Sequence, residues 1–109
     1  MTQYRFLTEA LIEYLDAIEY YERAQPGLSD AFIRDVENVL ASTLEFPEMG
    51  SPVKDTPPEL NIHRRFVLRF GVELDYLVAG DELIVLAVFH CSRRPGYWRD
   101  RLDRIDRAR

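Results

Sequence analysis

The sequence predicts an α+β fold: a helical hairpin packed on one face of a largely antiparallel four-stranded sheet. The predicted order is β-α-α-β-β-β, followed by a short C-terminal helix or a frayed tail. Three observations predict it. Two stretches in the first half carry apolar residues at helical spacing, joined by Gln25-Pro26-Gly27. Three strand-like stretches crowd the second half, separated only by Gly71 and Gly80-Asp81. The last of these, Leu83–His90, is uncharged and apolar up to its closing histidine, as expected of a strand buried on both faces.

The elements follow in order. Tyr4-Arg5-Phe6-Leu7 reads as a short first strand. Thr8 is placed to cap a helix, with Glu9 in the first turn where the helix dipole favours an anion. From Thr8 to Ala24, Leu11, Tyr14, Leu15, Ile18 and Tyr21 form the apolar stripe. Glu9, Glu13, Asp16, Glu19 and Glu22 form an acidic outer face. Proline and glycine end this helix, and a second runs from Leu28 or Ser29 to Glu45 on Phe32, Ile33, Val36, Leu40 and Leu44. The short link makes the pair an antiparallel hairpin.

Phe46-Pro47 stops the second helix, and residues 47–60 hold four of the six prolines, which reads as a loop. Residues 61–70 form the second predicted strand, with Ile62, Phe66, Leu68 and Phe70 on its apolar face. Residues 72–79 form the third, with Val72, Leu74, Tyr76 and Val78 inward and Glu73 and Asp75 outward. In the C-terminal stretch Trp98, Leu102 and Ile105 recur at helical offsets among Asp and Arg.

A chain of 109 residues fits a single domain, 1–109, able to bury a core without cross-links. One cysteine, Cys91, excludes an intrachain disulfide and a cysteine-based metal site, and it reads as an inert small hydrophobe. His63 and His90 have no partner at metal-ligand spacing, so neither a metal nor another cofactor is expected. The N-terminus lacks the pattern of a signal peptide, and no apolar run approaches the length of a membrane span. The expectation is a cytoplasmic protein without membrane contact.

Net charge is −5, unevenly spread. Residues 1–60 hold four basic and twelve acidic side chains; residues 61–109 hold ten and seven. Two faces with different partners are implied. The overall balance weighs against direct nucleic-acid binding, because phosphate neutralisation dominates that affinity.

The exit of the buried strand is the sharpest functional stretch. His90, Arg93, Arg94, Tyr97 and Trp98 follow one another there. His90, Arg93 and Tyr97 are the residue types that cleavage of RNA at a 2′-hydroxyl requires: a base, a cation for the phosphorane and an acid. The structural alternative has His90 ending a strand, Trp98 packing on the sheet and the arginines solvated or paired with acids. Arg64, Arg65 and Arg69 form a second cationic set, suited either to carboxylates of a partner or to Glu73 and Asp75 on the neighbouring strand.

Four stretches, AIEYYERAQPGLSDAFIRDVENVL, LEFPEMGSPV, IHRRFVLRF and LIVLAVFHCSRRPGYWRDR, carry a resemblance that spans nearly the whole chain. Through them the chain resembles the RelE/ParE superfamily of toxins from type II toxin–antitoxin modules, on the ParE-like side. The resemblance implies the same fold. It also implies a cognate ParD-like antitoxin, whose contacts would fall on Tyr14, Tyr21, Arg64, Arg65 and Arg69, with the hairpin and the sheet edge as its seat. ParE-like members, from modules that stabilise plasmids, inhibit DNA gyrase by protein binding. Here the target contact would fall on Arg93, Arg94, Tyr97, Trp98 and Arg101. RelE-like members are ribosome-dependent mRNA endoribonucleases and usually carry an arginine where this chain has Glu73. That carboxylate, the single lysine and the acidic balance favour recognition over catalysis. A non-toxic member that only binds its antitoxin, and a homodimer or a toxin–antitoxin hetero-oligomer, remain open readings.

Overall fold

Two helices, Thr8–Ala24 (α1) and Leu28–Glu45 (α2), lie against one face of a five-stranded sheet. A computed structural model describes residues 3–94, 96–103 and 105. The strands are Gln3–Phe6 (β1), Ser51–Pro52 (β2), His63–Val67 (β3), Val72–Ala79 (β4) and Glu82–His90 (β5), in the spatial order β1-β5-β4-β3-β2. β1 runs parallel to β5, and every other neighbouring pair is antiparallel. The α+β class and the helical hairpin are as the sequence predicts. The fifth strand is a correction. Within the proline-rich stretch, Ser51 and Pro52 pair with Arg64 and His63, at the sheet edge where a proline is tolerated.

Gly50 makes that edge possible. A Cβ at this position would stand 2.3 Å from the Arg64 carbonyl oxygen and 2.9 Å from the Tyr76 hydroxyl. The Tyr76 hydroxyl in turn donates to the Pro47 carbonyl at 2.6 Å, tying the loop to the sheet. Gly50→Ala is expected to cost about 2 kcal/mol through overpacking against backbone, seen as a lowered midpoint in urea denaturation.

Three further details differ from the sequence reading. On α1, Leu11 and Leu15 are exposed, and the buried stripe runs Ala10, Tyr14, Ala17, Ile18, Tyr21. Helix α1 begins at Thr8 itself, with Leu7 before it and no side-chain cap. On β3 the buried side holds His63, Arg65 and Val67, while Phe66 and Leu68 are exposed. Arg65 decides this. Its Nη1 donates to Thr43 Oγ1 at 2.9 Å and to Ser42 Oγ at 3.3 Å, so the guanidinium is satisfied under α2. The chain then turns through a 3-10 segment, Leu68–Phe70, which brings Phe70 onto Phe32 and Tyr21.

Glu73 and Asp75 point away from the helices, as predicted, but not into solvent. Their relative exposures are 9% and 2%. The C-terminal segment covers that second face. Tyr97 sets its ring edge-to-face on Phe89 at 5.2 Å, and Trp98 and Ile105 are each only 1% exposed. The segment forms a 3-10 turn over Arg99–Arg101 followed by helical residues, so it is packed helical structure rather than a frayed tail. A sheet covered on both faces explains why β4 and β5 are buried along nearly their whole length.

Candidate functional site

The site is built where β1 stops. β1 pairs with β5 only as far as Val85, extended by the Leu7 amide donating to the Val85 carbonyl. Beyond that point the outer edge of β5 has no strand beside it among the described residues. A bulge lies here as well: Asp75 pairs with Ala87 and Tyr76 with Val85, leaving Leu86 unpaired. Two side chains occupy the edge instead. Glu13 of α1 accepts the Val88 amide at 3.0 Å, and Arg101 Nη1 donates to the Leu86 carbonyl at 2.9 Å. Glu13 and Arg101 also join each other through two bonds, at 2.9 and 3.0 Å, and the Tyr97 hydroxyl donates to the second Glu13 oxygen.

This cluster couples helix, sheet and C-terminal segment. Burial alone would raise the Glu13 pKa. Hydrogen bonds from Arg101, Tyr97 and the Val88 amide, with the Arg101 charge, outweigh it and hold the carboxyl below its ordinary value. The Tyr97 phenol is pushed up, by burial first and then by the bond to anionic Glu13. Glu13 was assigned to a solvated acidic face by the sequence. The available signal was its place beside the Ala10–Tyr14–Ala17 stripe. An isolated wheel position does not say that an arginine 88 residues later will reach it.

The remaining candidates divide sharply. His90 is exposed at the end of β5, with Nδ1 2.8 Å from Ser92 Oγ. It shares with Arg93, Asp16, Tyr20 and Tyr21 an open groove of ≈ 560 Å³ between α1 and the β5 edge. Arg93 lies over the Tyr97 ring at 4.0 Å. Arg94 is exposed. Trp98 and Arg101 are buried, so neither offers a surface to a target; both anchor the segment. Cys91 is exposed rather than buried.

The five candidates for antitoxin contact are all engaged inside the chain. Tyr14 stacks on Phe6 at 5.2 Å. Tyr21 sits between Phe32 and Phe70 and donates to the Phe70 carbonyl. Arg64 Nε stands 4.0 Å from Glu73. Arg65 is held by α2 as above, and Arg69 makes two bonds to Asp35 at 3.0 Å. Of the alternative pairings to Glu73 and Asp75, only that of Arg64 to Glu73 is formed.

A family model described as the ParE toxin of type II toxin-antitoxin system, parDE, matches residues 4–95. The chain belongs to the ParE toxin family. Its structure is similar to a solved chain titled "Chromosomal ParDE TA system from P. aeruginosa", with a TM-score of 0.66 and 13% identity, over 83% of this chain and 95% of that one. It is also similar to the isolated E. coli RelE toxin, with a TM-score of 0.59 and 18% identity, over 94% and 96%. At these identities the two neighbours speak for the fold. No curated protein sequence matches the chain. Among the described residues no group of three His, Cys, Asp or Glu is placed to hold a metal, and no helix is long and apolar enough to cross a membrane. For this ParE-family toxin the matched region covers the hairpin, the sheet and the start of the segment that carries Arg93.

Proposed function

We propose that this ParE-family chain arrests growth in the cytoplasm by binding a protein target, DNA gyrase, and that a ParD-like antitoxin neutralises it. The observation that carries the reading is the state of Tyr97. Its hydroxyl is committed to Glu13 and its pKa is raised, so it is poorly placed to hand a proton to a leaving group. Arg93 packs on the same ring, and His90 is turned toward Ser92. The acid that RNA cleavage would ask of this trio is therefore already engaged within the chain, which supports the protein-binding reading. The exposed apolar residues Leu11, Ile12 and Leu15 on α1, set among acids, support the hairpin as the antitoxin's seat.

Expression of the chain alone is expected to arrest growth, and co-expression with the product of a neighbouring ribbon-helix-helix gene to restore it. Plasmid DNA from arrested cells is expected to lose negative supercoiling while transcripts stay intact. Cleaved transcripts with normal supercoiling would establish the RelE-like reading instead. Normal growth at high soluble yield would remove the toxin reading altogether.

A further inference from the structure

Arg5, Arg23, Arg64, Arg69 and Arg101 each have a carboxylate partner within 4.0 Å. Arg34, Lys54, Arg65, Arg93, Arg94 and Arg99 have no such partner among the described residues, and three of them, Lys54, Arg93 and Arg99, lie together although acids outnumber bases in this chain by nineteen to fourteen. These three exposed cations line one pocket of ≈ 230 Å³ on the sheet face opposite the helices. We infer that this pocket is a docking site for an acidic segment of a partner protein, whose carboxylates pair with Lys54, Arg93 and Arg99.

The two arginines have defined positions before any partner arrives. Arg93 is stacked on Tyr97, and Tyr97 is fixed by its bond to Glu13. Arg99 folds back over residue 96, where a Cβ would lie 2.6 Å from its Cζ; Gly96, at φ +72°, leaves that space open. Pre-placed arginines lose less freedom on binding and favour bidentate carboxylates. The pocket's own acids do not cancel them. Glu73 faces Arg64, burial together with Glu73 raises the Asp75 pKa, and exposed Asp55 is a single carboxylate against Lys54, Arg93 and Arg99.

Carboxylates fit better than a nucleic-acid backbone. Three unpaired cations neutralise few phosphates, and a continuous polyanion leaving the pocket would meet a chain of net charge −5. A protein segment needs only a few acids at this spot and can be neutral or basic elsewhere. The inference rests on the reading that this face meets the toxin's target, and it names the chemistry of that contact.

The test uses the full chain, freed from its antitoxin, and two labelled probes: a decapeptide of alternating Glu and Ser, and a ten-nucleotide oligo(U) RNA. Binding is followed by fluorescence anisotropy. The peptide is expected to bind more tightly than the RNA. R93Q/R99Q is expected to weaken it at least tenfold, while R34Q, an arginine-to-glutamine change on exposed α2, alters it less than twofold. Unchanged binding in R93Q/R99Q, no peptide binding, or tighter RNA binding would overturn the inference. Antitoxin binding by R93Q/R99Q checks that the variant is folded. Supercoiling by gyrase is scored on the same preparations. A wild-type chain that binds the peptide and leaves supercoiling untouched would overturn the gyrase reading and support the acidic-partner one.

Discussion

Replacing Glu13 with alanine is expected to destabilise the protein by about 3–5 kcal/mol, because it leaves the buried Arg101 guanidinium without its counter-charge. It also strips the Val88 amide and the Tyr97 hydroxyl of their acceptor. Trp98 is the only tryptophan in the chain and lies at the centre of the segment that Glu13 anchors. Urea denaturation followed by its emission therefore reads both effects. A lowered midpoint is expected, and a red-shifted native emission if the segment loosens. A paired replacement, Glu13→Leu with Arg101→Met, is expected to cost clearly less than the single change, since removing both charges leaves no buried ion uncompensated. Equal losses in the single and paired variants would show that packing, not the ion pair, holds the segment. The pH dependence has a definite sign. The folded pKa of Glu13 lies below its unfolded value, so its contribution is present above about 4.5 and is lost as pH falls through the folded value. Wild type is expected to lose more stability than the paired variant on acidification through that range.

Asp75→Asn is expected to act in the opposite direction. Burial, then the hydrogen bond and charge of neighbouring Glu73, push the Asp75 pKa far above the ordinary carboxylate range; Arg64 and the Trp98 indole offset only part of this. A carboxyl with a raised folded pKa contributes its full share below the unfolded value and loses it as pH rises through the folded one. Asparagine has nothing to lose. The advantage of the variant is expected to be small near pH 4 and to grow by about 2–4 kcal/mol by pH 8. Chemical denaturation at the two pH values measures the difference. An equal effect at both would place the consequence of the substitution in packing rather than in protonation.

These two residues also mark where reading the sequence stops. Helices α1 and α2 and strands β4 and β5 were legible because their patterns are local: helical spacing ended by Pro26-Gly27, and apolar runs bounded by Gly71 and Gly80. The two-residue strand at Ser51–Pro52 was not legible, since two residues carry no period and proline argues against a strand. Glu73 and Asp75 were placed on the correct face with the wrong surroundings. Alternation reports direction, but not whether another segment lies on top. The Glu13 cluster depended on residues from opposite ends of the chain. The stretch from His90 to Trp98 reads as one unit in the sequence, yet its parts have different surroundings. Arg93 and Arg94 face solvent, Trp98 is core, and Tyr97 lies between them.

The join between β1 and β5 bears on how such a protein is made. Gln3 pairs with Glu82 and Phe6 with Val85, and Glu13 closes on Arg101. These contacts need almost the entire polypeptide. While the chain is still on the ribosome, the first strand has no neighbour in the sheet, and the cations at Arg93 and Arg99 have not been synthesised. The helical hairpin, whose contacts are local, can form far earlier. If the antitoxin grips the outer side of that hairpin, as proposed, its docking surface exists before the proposed target-contact end of the molecule does. An inhibitor already present can then be in place before the toxin is complete.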